Sequence, residues 1–361
     1  MDTIRVGLIG LGSMAQAHVR ELEKLPRFRI AAICDVQEAA LAEWGERLSV
    51  DRTHRHADYR GLIADEEVDA VVSITPNVLH ADIMAVCLAA NKPFLSEKPF
   101  TRTFAEAAEL LARYDAHPVS ALIGFGYRYT PAFRFAREML AEGRIGAVRS
   151  FSMQYLQGWG AAVYNVPYVW RFDKAVTGTG TLGDLGAHMI DLAHYLFGPF
   201  EELSARLQTL IPERKSLSSD EMLEVEVDDF ASFQARMTGG AAGIFQTSRN
   251  CIGSGNQLEV SIYGDLGTLH ASTLAQEQVI WIRLDPDTGE LSEQKLQVPS
   301  RARRALWEDF AEMLSGESAD GLPDFRAGYE NQKVLEAIVR SHEAKRTVAL
   351  AELSAVGGKE E

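Results

Sequence analysis

Short apolar runs alternate with stretches of helical periodicity through the first third of the chain. Residues 4–9 are mostly apolar and suit the middle of a parallel sheet. A helix is predicted from the turn that follows to about Leu25, then a second strand over residues 28–34. Residues 68–74 predict a strand, 78–90 a helix and 93–95 a short strand. Ala107, Leu110, Leu111 and Tyr114 recur at helical spacing within 103–116, and 119–124 reads as a further strand. Strands separated by helices imply right-handed crossovers in a doubly wound parallel sheet, an α/β class of fold. The pattern places a domain boundary near Gly124, dividing the chain into residues 1–124 and 125–361.

Beyond that point the period changes. One helix, 131–142, precedes runs that read as antiparallel strands at 148–155, 203–211, 229–237, 242–248, 258–263 and 279–284. Glycine-containing turns at 238–240, 264–267 and 285–289 punctuate them. The expectation is an α+β domain built on one large open, mainly antiparallel sheet. Its uncovered face needs a partner, which predicts a homodimer or homotetramer through that sheet. Two late helices, 303–314 and 328–345, are expected to pack back between the domains.

Composition narrows the partners. A net charge of −15 argues against nucleic-acid and anionic-membrane binding. No apolar run approaches the ~20 residues needed to span a bilayer. Met1-Asp2-Thr3 leads straight into the first strand with no signal peptide, so a cytoplasmic location is expected. Cys34, Cys87 and Cys251 lie far apart, which argues against a disulfide framework or a cysteine zinc site; no metal is predicted.

The first strand runs into Gly10-Leu11-Gly12-Ser13-Met14-Ala15, the alanine-ended form of the G-x-G-x-x-G/A turn. Gly10 permits the tight turn, Gly12 lets backbone approach a pyrophosphate, and Ala15 allows close helix–strand packing. Ser13 and Met14 open the helix whose N-terminus attracts phosphate charge. Asp35 lies 20 residues past Ala15, where a carboxylate accepts hydrogen bonds from an adenosine ribose. It would repel a 2′-phosphate, and no Arg follows in Val36-Gln37, so NAD is favoured over NADP. Motif, strand, helix and acid in this order are the context that confirms dinucleotide binding.

Ligands of open parallel sheets sit beyond the carboxyl ends of the strands, which here are Thr75-Pro76-Asn77 and Ser96-Glu97-Lys98-Pro99. Thr75, Asn77, Glu97 and Lys98 are therefore placed along the cofactor. A lysine beside an oxidised nicotinamide stands near a positive charge, which suits it to proton relay. Further on, Gly178 to Asp191 forms a glycine-rich lead-in and a helix start, a lead-in expected to be flexible enough for substrate to approach. At about 100° per residue, Asp184, His188, Asp191 and Tyr195 share a stripe ~60° wide. An imidazole one turn from a carboxylate can take a hydroxyl proton while the carboxylate orients ring or substrate. The structural alternative makes Asp184 a helix N-cap and His188 a core residue.

Gly10-x-Gly12-x-x-Ala15, Glu97-Lys98-Pro99 and Asp184-x-x-x-His188, in this order, resemble the Gfo/Idh/MocA oxidoreductase family over nearly the whole chain. Residues 124–133 look like that family's domain junction. The resemblance implies that Glu97 helps place the nicotinamide end and that Lys98, Asp184 and His188 are catalytic. In that scheme His188 is general base on a sugar or cyclitol hydroxyl, Lys98 orients it, and Asp184 grips the neighbouring hydroxyl. The family shows a tighter glycine run where this chain has Gly178-Thr179-Gly180-Thr181. Tyr164-Asn165-x-Pro167-Tyr168-x-Trp170-Arg171-Phe172 looks most like inositol and monosaccharide dehydrogenases. Asn165, Trp170 and Arg171, with Arg128, join the predicted substrate contacts, since aromatic faces pack on sugar C–H groups while polar tips hold hydroxyls. The same architecture can also host a redox-neutral glycosidase that uses NAD transiently, or an NAD- and sugar-sensing regulator without turnover. The intact Lys98, Asp184 and His188 set argues against the regulator.

Overall fold

The computed structural model describes residues 3–317 and 320–353. The chain divides into two units, Met1–Gly124 with Ala305–Tyr329, and Phe125–Arg304 with Glu330–Glu361. The division at Gly124 follows the change of period. The unbroken stretch 125–361 expected of the second domain is instead interrupted, because Ala305–Tyr329 returns to the first unit.

In the first unit β1 (Ile4–Ile9), β2 (Phe28–Cys34), β3 (Arg55–His56), β4 (Ala70–Ser73), β5 (Phe94–Ser96) and β6 (Ala121–Ile123) form one parallel sheet. The strand order is β3-β2-β1-β4-β5-β6, so the winding reverses between β1 and β4. Helices α1 (Ala15–Leu22), α2 (Glu38–Arg47), α3 (Tyr59–Ala64), α4 (His80–Ala89) and α5 (Phe104–Ala116) connect the strands. β1 and β4 read as continuous apolar runs because Val6, Leu8, Ala70 and Val72 are all fully buried. Thr103 and Glu106 close a capping box that starts α5 where its periodicity begins. α1 ends at Leu22, three residues before the expected stop at Leu25.

The second unit opens with α6 (Pro131–Ala141) and holds a nine-stranded sheet. Its strands are β7 (Val148–Leu156), β8 (Phe200–Gln208), β11 (Phe230–Met237), β12 (Ala242–Ser248), β13 (Gln257–Gly264), β14 (Gly267–Ser272), β15 (Gln278–Leu284), β16 (Leu291–Gln297) and β17 (Val348–Ala349). The order is β16-β15-β14-β13-β7-β12-β11-β8-β17; every pair is antiparallel except β7 with β12. A separate ribbon joins β9 (Glu213–Lys215) to β10 (Met222–Glu224). Alternation sets the buried face: Ala231, Phe233, Ala235 and Met237 point inward along β11. After α7 (Lys174–Thr177), α8 (Ala187–Phe197) lies on that face, with Phe197 stacked on Phe151 at 3.9 Å.

Of the two late helices, α9 (Leu306–Leu314) belongs to the first unit, where Phe310 stacks on Phe28 and Trp307 meets the same ring edge-on. α10 (Phe325–Ala344) starts there too, with Phe325 stacked on Tyr114 at 4.1 Å, and continues into the second unit. In the latter, Ser341 and His342 accept the Ala205 and Leu207 N–H groups of β8.

Candidate active site

In the first unit the polar groups gather at the carboxyl ends of β1, β2, β4 and β5. Gly10 has φ +90°, and a Cβ there would run into the Ile74 carbonyl, so this position requires glycine. Gly12 is different: a Cβ would meet no protein atom within 4 Å. Nothing in the chain itself demands glycine there, which leaves close approach by a ligand as the physical reason. Ala15 is fully buried, and no side chain caps the N-terminus of α1. An open turn, an uncapped helix start and a nearby carboxylate fit a dinucleotide. The Asp35 carboxylate is held in place, its Oδ2 accepting the Leu11 N–H at 2.8 Å and its Oδ1 the Gln37 N–H at 2.9 Å. Ser13 and Met14 lie exposed at the helix start.

Thr75 follows β4, with its hydroxyl 3.2 Å from that of Ser73, and Asn77 is buried in the next turn. Glu97 is tied in on three sides: its N–H donates to the Ser73 carbonyl, Oε1 lies 2.8 Å from His18 Nε2, and Oε2 accepts the Lys98 N–H at 3.1 Å. His18 in turn meets Trp307 edge-on. His80, fully buried, lies 2.9 Å from the Thr75 carbonyl and 2.7 Å from the Pro99 carbonyl, so its ring sits between the two loops and, when neutral, donates to one of them. Burial pushes its pKa below the ordinary histidine value. Lys98 is half-buried beside these groups.

In the second unit Leu182–Gly186 is a π-helical turn that runs into α8. π-Turns inside helices mark functional sites often enough to draw notice. This one replaces the uniform 100° spacing on which the stripe was read. Asp184 does not cap the helix; its Oδ2 pairs with Arg249 Nη2 at 2.9 Å, with Arg171 Nε at 4.0 Å. The Arg249 side chain is buried at the end of β12, also donating to the Gly180 carbonyl at 3.2 Å. The lead-in expected to be flexible is fixed instead. Buried Asp228 accepts the Gly180 and Leu182 N–H groups at 2.8 and 2.7 Å, and a Cβ on Gly180 would overlap the Asp228 backbone.

His188 is half-buried against Tyr127, whose ring centroid lies 4.7 Å away, with Tyr155 at 6.1 Å and Phe125 at 6.5 Å. The two tyrosine hydroxyls are 2.7 Å apart and close a ring of hydrogen bonds with the Asn256 amide. Gln157 and Trp159 extend it. Burial, reinforced by Tyr127, pushes the Tyr155 hydroxyl well above its ordinary pKa and keeps it a neutral donor.

The remaining predicted contacts separate. Arg128 is 5% exposed and saturates Asp191, with Nε 2.8 Å and Nη2 2.6 Å from its carboxylate. This is a buried structural pair, and it corrects the expectation that Arg128 touches substrate. Tyr195, the last member of the stripe, lies beneath the guanidinium groups of Arg128 and Arg137. Arg171 stacks on exposed Trp170 at 4.5 Å and reaches toward Asp184, so these two stay with the site. Asn165 is exposed, has left-handed backbone (φ 45°), and forms no hydrogen bond to Asp184 or His188 among the described residues. Sequence reasoning missed Arg249, Asp228, Tyr155, Asn256, His18 and His80. Arg249 had a usable signal, a lone cation directly after a clearly alternating strand.

Comparison with known proteins shows the family. Residues 4–125 match the family model described as an oxidoreductase family with an NAD-binding Rossmann fold, and residues 133–270 match the GFO/IDH/MocA C-terminal domain. The chain is 31% identical to levoglucosan dehydrogenase of Pseudarthrobacter phenanthrenivorans over 355 residues, covering 93% of this chain and 88% of that one. It is 26% identical to myo-inositol 2-dehydrogenase of Thermotoga maritima over 355 residues, covering 97% and 99%. A solved structure of levoglucosan dehydrogenase in complex with NADH and levoglucosan superposes with a TM-score of 0.88 at 29% identity, covering 96% and 99%.

Proposed function

Because this chain belongs to the Gfo/Idh/MocA oxidoreductase family, we propose that it oxidises a secondary hydroxyl of a neutral cyclitol or monosaccharide ring. It is an NAD(P)-dependent oxidoreductase acting on CH–OH groups. The observation that carries the finer reading is the pairing of Asp184 with Arg249 one helical turn from His188. The buried guanidinium holds the Asp184 carboxylate in a fixed position, and we read that carboxylate as the acceptor for a ring hydroxyl. Two vicinal hydroxyls suit such a pair: one gives its proton to the His188 imidazole, the other is held by Asp184. The tyrosine and asparagine ring gives His188 an aromatic wall, and Trp170 offers a flat face to sugar C–H groups. Arg171 counters the charge of Asp184 and sharpens its grip.

Following the family, Lys98 orients the reacting hydroxyl. The backbone at Gly12, Ser13 and Met14 and the start of α1 would hold the cofactor pyrophosphate, Asp35 its ribose, and Thr75, Asn77 and Glu97 its nicotinamide end. When bound, NAD supplies the hydride acceptor.

The test is NADH formation across inositols, free aldoses and levoglucosan at equal concentration. Hydroxy acids, sugar phosphates, nucleotide-sugars and aryl glycosides serve as controls. Turnover of neutral rings, faster at higher pH as a general base requires, is expected. Activity confined to the charged classes would refute the neutral-ring reading. Cleavage of aryl glycosides without net NADH would replace it with a redox-neutral glycosidase.

A further inference from the structure

Away from these groups, the described residues bring together His54, His56 and Asp65, whose candidate ligand atoms all lie within 4.8 Å of one another. We propose that the three bind a divalent transition-metal ion of the zinc, cobalt or nickel class at the edge of the six-stranded sheet. The absence of a cysteine motif does not bear on it, because the set contains no cysteine.

Asp51 caps the short 3-10 turn that ends at His54, and His56 lies on β3, the terminal strand of its sheet. Asp65 follows α3 directly. Its Oδ2 lies 2.7 Å from His54 Nδ1 and 2.9 Å from His56 Nε2, so one oxygen serves two imidazoles. The carboxylate is fixed from its other side, where Oδ1 accepts the Glu67 N–H at 2.9 Å. The Lys92 ammonium holds the Asp65 carbonyl at 3.1 Å. Gly61 leaves room for the His56 ring: a Cβ there would stand 3.1 Å from Nδ1. The Asp65 side chain is 8% exposed while those of His54 and His56 keep 31% and 20%, leaving an open side for water as a further ligand.

Two neutral imidazoles and one carboxylate form a donor set of borderline softness, suited to zinc, cobalt and nickel. Metal–ligand bonds of about 2.0–2.2 Å in a tetrahedral shell set donor atoms about 3.3 Å apart. The two N···O contacts therefore need to open by about half an ångström, while the two imidazole nitrogens, within 4.8 Å of each other, settle at the same spacing. On binding, each imidazole turns a lone pair to the ion, and its proton moves to the other ring nitrogen. No net proton is lost from neutral rings, and the carboxylate offsets one of the ion's two charges. The His56 carbonyl accepts the Asp35 N–H at 3.2 Å, so an ion here would pin the two-residue strand β3 beside the acid that follows β2.

The experiment uses the full chain after chelator treatment, titrated with Co²⁺ and then Zn²⁺. One Co²⁺ per chain is expected, with the intense visible d–d bands of a four-coordinate ion, displaced by Zn²⁺ and accompanied by a higher Tm. His54→Gln and Asp65→Asn are each expected to weaken Co²⁺ binding at least tenfold. Melts of the metal-free variants check folding, and the partly exposed His54 provides a variant that keeps the fold. No d–d bands in the wild type, or equal affinity in a His54→Gln/His56→Gln double variant, would overturn the proposal.

Discussion

Single residues carry two separable jobs in this chain, holding charge and moving protons. His188→Ala and Lys98→Ala remove proposed acid–base and orienting groups from half-buried positions, so the fold and NAD binding should persist while kcat falls. Losses of roughly 10²–10⁴-fold are expected, read by steady-state kinetics beside a thermal melt. A collapsed Tm with normal turnover per folded molecule would instead make them structural. Asp35 tests the cofactor half. Its carboxylate is already oriented by the Leu11 and Gln37 N–H groups, so little ordering cost remains when a ribose binds. Hydrogen bonds to a charged group are worth about 1.5–3 kcal/mol, so Asp35→Ala should weaken NAD roughly ten- to a hundredfold. NADP should lose less, because repulsion of its phosphate disappears too. Tighter wild-type binding of NADP than NAD in a fluorescence titration would contradict this reading. Residue types at motif spacing were legible from the sequence; their charge partners were not. Arg128 looked like a substrate contact because an arginine after a junction motif carries no sign that Asp191, a distant residue, neutralises it inside the core.

Elements were legible where burial imposes a period and lost where it does not. β12 was predicted at its observed bounds, and Gly243, Phe245 and Thr247 alternate inward along it until Ser248, which is buried as well. β16 was missed since it is exposed along nearly its whole length and has no apolar face to betray it. β3 has two residues, too few to show any period. The π-turn at Leu182–Gly186 broke the stripe argument because the sequence pattern assumed a uniform α-helical pitch. His80 opens α4 and shows what such a reading leaves out, since its buried ring lies between the loop at Thr75 and the loop at Pro99. Burial lowers its folded pKa below the ordinary value of about 6.5, so between the two values the unfolded chain binds the extra proton. Its contribution to stability is therefore complete above about pH 6.5 and is lost as pH falls below that. Melts across mildly acidic pH should show a shallower decline for His80→Gln than for the wild type. Parallel curves would mean that His80 is not held neutral in the fold.

At the scale of the molecule, the change from period 3.6 with apolar runs to period 2 announced two architectures, and both are present. The return of Ala305–Tyr329 to the first unit was hidden, because an amphipathic helix declares that it needs a partner but not which one. The same logic applies to the nine-stranded sheet. One face is filled by α8 and the buried side chains of β7, β11 and β12, while the other exposes Ile244 at 60% and Tyr263 at 42% among polar residues such as Ser152, Gln154, Ser232 and Glu259. With strands about 4.8 Å apart and residues about 3.4 Å along each, nine strands of average length seven span an area on the order of 1,000 Å². A standard stable interface needs about 800 Å² from each partner, so this face is large enough to close against a second copy of itself by two-fold symmetry. Ile244 stands near the middle of the strand order, where it would supply apolar contact. Light scattering should therefore find a dimer or tetramer at micromolar concentration. Ile244→Glu, which places like charges across the two-fold axis, should shift it toward monomer while leaving NAD titration unchanged. A wild-type monomer, or an Ile244→Glu variant that keeps the wild-type mass, would show that the face is not where the copies meet.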